Sequence, residues 1–364
     1  MGDVGALPIE VLCGQLLVGG FAGTTLTSSF EAALAAGHRG GAILFKRNVT
    51  GGLGAVLALN ARIRDTAPRA LPPLIAVDQE GGRVARLGAP LLVLPPMAVI
   101  GALADVELAE RLAERQGAEL AALGFTMNFA PILDVHTRPD NPIIGDRAFS
   151  RDPERVAELG VAWARGLERG GVLACGKHFP GHGDTVTDSH LDLPRVEHGR
   201  TRLEAIEIPP FAAAARAKIA ALMTAHVVFP ALDPDAPATL SRAIAGDLRC
   251  TIGFDGILVS DDLEMKAIKV PVEESAVGAI TAGCDMLLVC ESEPLQERAH
   301  AALVARAKAS REFRMRCREA ATRCLTARRR MPPRPVGSID ELQMVLLGSA
   351  DVARELAARR EQKP

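Results

Sequence analysis

The residues best equipped for chemistry crowd into one segment, KHFPGHGDTVTDSHLDLP, residues 177–194. It holds three of the eight histidines, three acids, two glycines and two prolines in eighteen residues. Glycine and proline at that density predict a long loop, and long ordered loops usually carry function. Asp188 and His190 flank Ser189, close enough for the carboxylate to orient and charge the imidazole. His190 is thus a candidate general acid/base, tuned near neutral pH. Asp261 has another setting, at the end of the apolar run ILVS. A carboxylate fixed there suits a nucleophile or a stabiliser of positive charge. Its neighbour Asp262 points elsewhere if strand alternation continues, and a capping role suits it better.

More polar residues recur just after short apolar runs. The runs are Leu16–Val18, Ala42–Phe45, Leu74–Val77, Thr126–Phe129, Val172–Cys175, Ala221–Thr224, Ile257–Val259 and Met286–Val289. Lys46, Arg47 and Asn48 follow the second, and Asp78, Gln79 and Glu80 the third. Asn128 and Asp134 come at the fourth, Lys177 and His178 at the fifth, and His226 at the sixth. Ser260, Asp261 and Asp262 follow the seventh, and Glu291 the eighth. Near-continuous apolar runs are the mark of strands buried on both faces. Helical patterns separate them: Asp105–Leu123 is amphipathic and stops at Gly124, and another helix opens at Ser150-Arg151-Asp152-Pro153. Eight strands alternating with helices predict an α/β fold, a (β/α)8 TIM-type barrel, rather than an open doubly wound sheet. Its βα loops would bring all these polar residues to one concave face.

On that face Arg83, Arg86, Arg147 and Lys177 supply donors, and Asp78 can accept two vicinal hydroxyls. The only Trp, Trp163, lies on a helical segment, and there is no Tyr. Without stacking platforms for a long polysaccharide, a small pocket for one terminal sugar is expected. Its lining should be acids, Arg, Lys and His rather than aromatics.

The remaining features bound the problem. With 364 residues, 48% of them hydrophobic, the chain can bury a large core. A net charge of −2 gives no reason to expect a nucleic-acid or anionic-membrane partner. No apolar run approaches the roughly 20 residues of a membrane span, and the N-terminal residues lack a secretory pattern. Seven scattered cysteines without a CxxC pair point to a reduced, cytoplasmic protein. Residues 1–330 are expected to form the barrel with its closing helices. A proline-rich linker, 331–338, and a C-terminal helix and tail, 339–364, should follow. Gln296–Arg330 reads as one helical region with eight arginines in its last twenty residues, taken as a solvated face.

At these residues the sequence resembles the family 3 glycoside hydrolases, and within them the bacterial β-N-acetylglucosaminidases of peptidoglycan recycling. The resemblance is carried by GAILFKRN, LIAVDQEGGRVARL, NFAPILDV, NPIIGDRAFSRDP, KHFPGHGDTVTDSH, MTAHVVFPALDPDAPATLS and LVSDDLEM, over roughly residues 15 to 290. It implies a single barrel, with Asp261 as nucleophile and His190 as general acid/base assisted by Asp188. Asp78, Arg86, Arg147, Lys177 and His178 would bind the sugar. The implied reaction needs no cofactor or metal. It removes terminal GlcNAc from a small muropeptide-derived disaccharide, GlcNAc-anhydro-N-acetylmuramic acid, and its peptides. The enzyme is expected to act as a monomer. Two departures stand out: Glu264, where a small residue is common, and the arginine-rich tail.

Retaining hydrolysis would run through a covalent glycosyl–Asp261 intermediate. A histidine acid has an electrostatic rationale here, because the leaving sugar bears a carboxylate that a glutamate would repel. Several rival readings remain. Other terminal hexoses would suit the same machinery. Substrate-assisted hydrolysis lacks its DxxDxDxE or glycine-rich DE signature. A metal-dependent hydrolase using His178, His182 and Asp184 lacks the HxH pair of such barrels, and Phe-Pro-Gly forbids a helix aligning the two histidines. A non-catalytic sugar-binding protein should have lost Asp261, Asp188 or His190.

Overall fold

The computed structural model describes residues 4–185, 193–334 and 339–362. Eight parallel strands close into a barrel: β1 (Leu17–Gly19), β2 (Gly41–Leu44), β3 (Leu74–Val77), β4 (Met127–Asn128), β5 (Leu173–Phe179), β6 (Ala221–Thr224), β7 (Ile257–Asp262) and β8 (Met286–Val289). Each strand pairs with its sequence neighbour, and β1 closes the ring on β8 through Leu17 opposite Leu287 and Gly19 opposite Val289. All eight apolar runs are strands of this ring, so the fold is the (β/α)8 barrel that their number and spacing predict.

The lack of alternation in these runs has a simple cause. Val18, Ile43, Ala76, Met127, Cys175, Met223, Val259 and Leu288 point into the barrel and pack on one another. Their neighbours Leu17, Leu44, Val77, Ala174, Leu222, Leu258 and Leu287 point outward against the helices. Both faces are therefore dry, and both need apolar side chains.

The fifth strand is longer than expected. Lys177 lies opposite Met223 and Phe179 opposite Thr224, with a bulge between, so Lys177–Phe179 is sheet rather than loop. That places Lys177 and His178 on rigid backbone. The Lys177–His178 peptide is cis.

Around the ring, helix α1 (Val106–Ala122) starts at Asp105, whose side chain accepts the Leu108 N–H, and α2 (Pro153–Gly170) starts at Asp152 with Pro153 in its first turn. Glycines let these two helices approach closely. A Cβ on Gly166 would lie 2.2 Å from the Glu110 carbonyl oxygen, and one on Gly170 would lie 2.4 Å from that of Glu114.

The C-terminal arginine-rich region is not one helix. Ser310 leaves the helical conformation and caps the next segment through the Phe313 N–H, giving α3 (Glu293–Ala309) and α4 (Arg311–Arg330). Nor is α4 a simply solvated face. Cys324 and Ala327, with Met331 beyond the helix, pack into the inner barrel cluster from below. Arg328 is fully buried and donates to the Gly40 carbonyl and to Gln15 Oε1. Arg316 and Arg323 reach the buried Asp285 at 2.6 and 3.2 Å, and Arg249 pairs with its other oxygen. Long arginines reach in from α4 to supply partners for these buried polar groups. Beyond it, α5 (Ile339–Gln362) lies on α1, burying Leu342, Val352 and Leu356.

Asp285 also accepts the Leu258 N–H at 3.0 Å, tying β7 to the start of β8. Asp285→Ala should therefore cost about 3 kcal/mol or more, because three arginines and a buried amide lose their acceptor together. Urea unfolding followed by circular dichroism measures that loss. A change below about 1 kcal/mol would show the arginines to be independent of it.

Candidate active site

The site is built at the C-terminal ends of the strands. Asp78 directly follows β3, and the chain then folds back as a short hairpin, Gln79–Gly81 against Val84–Ala85. Gln79 locks this hairpin: its Oε1 accepts the N–H groups of Arg86 and Leu87, and its Nε2 donates to the Leu87 carbonyl. Arg86 is thereby aimed at Asp78, with Nη2 3.3 Å from Oδ2. Lys177, from β5, donates to Asp78 Oδ1 at 2.7 Å and lies 2.6 Å from Glu80 Oε1. Arg147, from the single turn Gly145–Arg147, forks onto both Glu80 oxygens at 2.8 and 2.9 Å.

Burial alone would push the Glu80 carboxyl up, but Arg147 and Lys177 outweigh it and hold Glu80 far below the usual carboxylate range. The same pairing, working against burial, raises Lys177 and Arg147 above their ordinary values. These groups are charged at any physiological pH.

A second cluster surrounds Asp134, on the loop after β4. Its carboxylate accepts the backbone N–H of His182 at 2.6 Å and sits 2.7 Å from His178 Nδ1. With Nδ1 engaged there, Nε2 is the ring nitrogen that His178 keeps for the cavity. The His182 ring lies 5.6 Å from that of His178, edge to face. Burial, with the charge of His178 nearby, lowers His182 to about 4, so it stays neutral.

Asp261 is the penultimate residue of β7, and its Oδ1 accepts the Asp262 N–H at 2.8 Å. Burial pushes its carboxyl up, yet His226, His178, that N–H and Lys177 together bring it below the ordinary value. Asp262 turns to other work: Oδ1 accepts the N–H groups of Glu264 and Cys290 at 3.1 and 3.2 Å. Burial, with the charges of Glu264 and Asp261 beside it, pushes Asp262 up to about 7. Glu264 in turn accepts the N–H groups of Glu291 and Ser292 at 2.6 and 3.1 Å, bracing the loop after β8.

These residues enclose a cavity of about 390 Å³ at the barrel mouth. Asp78, Glu80, Arg86, Arg147 and Lys177 form one wall, and Asp261, His178 and His182 another. Phe45, Phe129, Val84, Met223, Met265 and Leu288 supply an apolar remainder. A lining that mixes charged and apolar side chains suits a ligand with polar edges and a hydrocarbon face, as a sugar ring has.

Residues 9–327 match the family model of the glycosyl hydrolase family 3 N-terminal domain. The chain belongs to glycosyl hydrolase family 3. A β-hexosaminidase of Chromobacterium violaceum is 44% identical over 278 residues, 74% of this chain and 76% of that protein. One from Alkalilimnicola ehrlichii is 42% identical over 289 residues, 77% and 81% of the two chains. Among solved structures, a family 3 β-N-acetylglucosaminidase from Paenibacillus sp. superposes with a TM-score of 0.86 at 39% identity, covering 96% of this chain and 69% of that one. NagZ from Neisseria gonorrhoeae in complex with N-trifluoroacetyl-D-glucosamine gives 0.79 at 32% identity, covering 95% and 98%. The family 3 protein described here is thus an enzyme, a glycoside hydrolase of the β-hexosaminidase group.

In this family 3 enzyme, Asp78, Arg86, Arg147, Lys177, His178 and Asp261 all line one cavity. Asp188 and His190 lie outside the described residues. Other polar residues singled out in the sequence turn out to be occupied elsewhere. Asn48 and Arg47 hold the Phe21 carbonyl, Arg47 also that of Cys290, and Asn128 brackets the Gln79 backbone. The lining also includes two phenylalanines, against the expectation of no aromatics; the guanidinium carbons of Arg47 and Arg86 lie 4.6 and 5.6 Å from the Phe45 ring centroid. The lack of a helix does not keep His178 and His182 apart, because strand end and turn converge on Asp134. Among the described residues, no three side chains are disposed to hold a metal ion. Glu80, the hub of the charged wall, appeared in the sequence only as the third member of a polar triplet.

The position of Asp262 sets a pH signature. Its folded value of about 7 lies above its ordinary 3.8, so the native state binds the extra proton between them. Stability therefore falls as pH rises from about 4 to 7. Asp262→Asn keeps the Oδ1 acceptor and removes the charge. The melting temperature of the variant relative to the parent should rise between pH 5 and pH 8 by several degrees. A pH-independent difference would contradict the buried, charge-crowded setting of Asp262.

Proposed function

We propose that this enzyme is a retaining exo-β-N-acetylglucosaminidase that removes terminal, non-reducing GlcNAc through a glycosyl–Asp261 intermediate. The observation that carries the reading is Asp261 itself: a carboxylate held ionised on sheet backbone, in a cavity for a single sugar whose facing wall is prepaid with charge. Asp78 accepts a pair of hydroxyls while Lys177 and Arg86 fix it. Arg147 and His178 donate to the sugar from two sides. In the first step Asp261 forms a bond to the anomeric carbon as the glycosidic C–O bond breaks, and His190 gives its proton to the departing oxygen. In the second, His190 takes a proton from water, whose oxygen bonds to the same carbon and releases Asp261. Asp188 orients and charges the imidazole. The substrate is GlcNAc-anhydro-N-acetylmuramic acid and its peptides, handled in the cytoplasm by a monomer without metal or cofactor.

Support comes from the names of the relatives, β-hexosaminidases and β-N-acetylglucosaminidases, and from the N-trifluoroacetyl-D-glucosamine in complex with the gonococcal NagZ.

Asp261→Asn should lose turnover by at least about 1,000-fold while melting like the parent. Incubation with 5-fluoro-N-acetylglucosaminyl fluoride should add one sugar mass to the peptide containing Asp261. A label on Asp262, or near-parental turnover by Asp261→Asn, would overturn the assignment.

His190→Ala separates the two steps. It should lose about 100- to 10,000-fold on the natural disaccharide but far less in glycosylation by a 2,4-dinitrophenyl glycoside, whose leaving group needs no proton. The intermediate should then accumulate, and azide, which needs no base, should restore turnover as glycosyl azide. Equal losses across leaving groups, without azide rescue, would defeat the acid/base role.

A further inference from the structure

The cation–carboxylate cluster around Asp184 sits beside the cavity and is absorbed by none of the roles above. Its Oδ1 is 3.1 Å from Arg138 Nε, and Oδ2 pairs with His198 Nε2. Arg202 Nη2 lies 3.8 Å from the same Oδ2 and spends its other nitrogen on both oxygens of the buried Glu207, at 2.7 and 2.8 Å. Arg138 belongs to the loop after β4; Asp184 precedes residues 186–192, and His198 and Arg202 follow them. A single carboxylate thus joins three stretches of chain. Two of them are the entry and exit of the segment that carries Asp188 and His190 in sequence.

The entry is tied a second time. Asn141 Nδ2 donates to the carbonyls of His182 and Thr185 at 3.0 and 3.1 Å, and its Oδ1 accepts the N–H groups of Ile143 and Ile144 at 2.9 and 2.7 Å. Arg147 donates to the Ile143 carbonyl at 3.1 Å, so these ties run to the same loop that presents Arg147 to the charged wall.

We infer that Asp184 is a positioning residue for the acid/base: it clasps both ends of the segment bearing His190 to the loop that carries Arg147. The inference rests on the assignment of His190 as acid/base. Seven residues lie between Thr185 and Leu193, so tying down both flanks limits the reach of the stretch that bears His190 in sequence. A misplacement of about 1 Å in such a group costs on the order of 100-fold.

The test is Asp184→Ala, made alone and in the His190→Ala background, with Asp140→Ala as control. Asp140 lies 3.9 Å from the same Arg138 but is exposed, and its variant should keep parental rates. On GlcNAc-anhydro-N-acetylmuramic acid, Asp184→Ala should lower kcat about 10- to 100-fold and leave KM within about twofold. Glycosylation by the 2,4-dinitrophenyl glycoside should change little, and azide should raise turnover. Added to His190→Ala, it should bring no further loss. His198→Gln, which keeps a donor toward Asp184, should show a weaker form of the same pattern and serves if Asp184→Ala fails to fold. Uniform losses across leaving groups, or an additive loss in the His190→Ala background, would overturn the clasp while leaving His190 in its role. If His190→Ala itself shows no leaving-group dependence, the acid/base assignment falls, and this inference with it.

Discussion

The ammonium of Lys177, buried between Asp78 and Glu80, is the interaction on which the rest of the barrel mouth depends. It joins β5 to the chain leaving β3, and through Glu80 it brings in Arg147 from the loop after β4. Removing such charges from water is costly, and only close, multiply bonded pairing offsets the cost. The geometry meets that demand: Glu80 makes three charge-assisted contacts within 2.9 Å, and Asp78 two within 3.3 Å. Three cations then face two carboxylates across this wall, leaving an excess positive charge that favours the ionised form of Asp261 nearby. Fold and electrostatics are thus settled by the same few atoms.

Around that core the loops are fixed by side chains that accept backbone N–H groups. Gln79 locks the hairpin after β3, Asp134 the turn after β5, Asn141 the loop after β4, and Asp262 with Glu264 the turns after β7 and β8. Each replaces, with one buried acceptor, the ladder bonds that a loop forgoes. Glu264 owes its size to this: a small residue could not span from β7 to the Glu291 and Ser292 amides.

Much of this was legible in the sequence, and what was not has a common cause. The strands announced themselves because both their faces are dry. Asp78, Lys177, His178 and Asp261 stood out because strand ends in a barrel share one face, and Arg86 and Arg147 as donors expected around that face. Hidden were the pairings that exist only once the ring closes. Glu80 is unremarkable until Lys177 and Arg147 arrive from 97 and 67 residues away. Arg47, Asn48 and Asn128 looked like site donors, yet distant carbonyls and amides claim them. Arg328 sits in a stretch whose composition says surface, and only the packing of α4 beneath the barrel takes it inside. Sequence shows which side chains are able to act, but closure decides which of them are left over to do so.

That packing has a kinetic meaning. With Cys324, Ala327 and Met331 driven into the base of the ring and layered side chains above them, the well at the opposite end is blind. Whatever enters must leave by the way it came. For a hydrolase that cuts a bond lying across the rim, the outer half of the substrate departs before the inner half has an exit. On the proposed exo-acting reading, release follows that geometry, and the sugar in the well is the last to go.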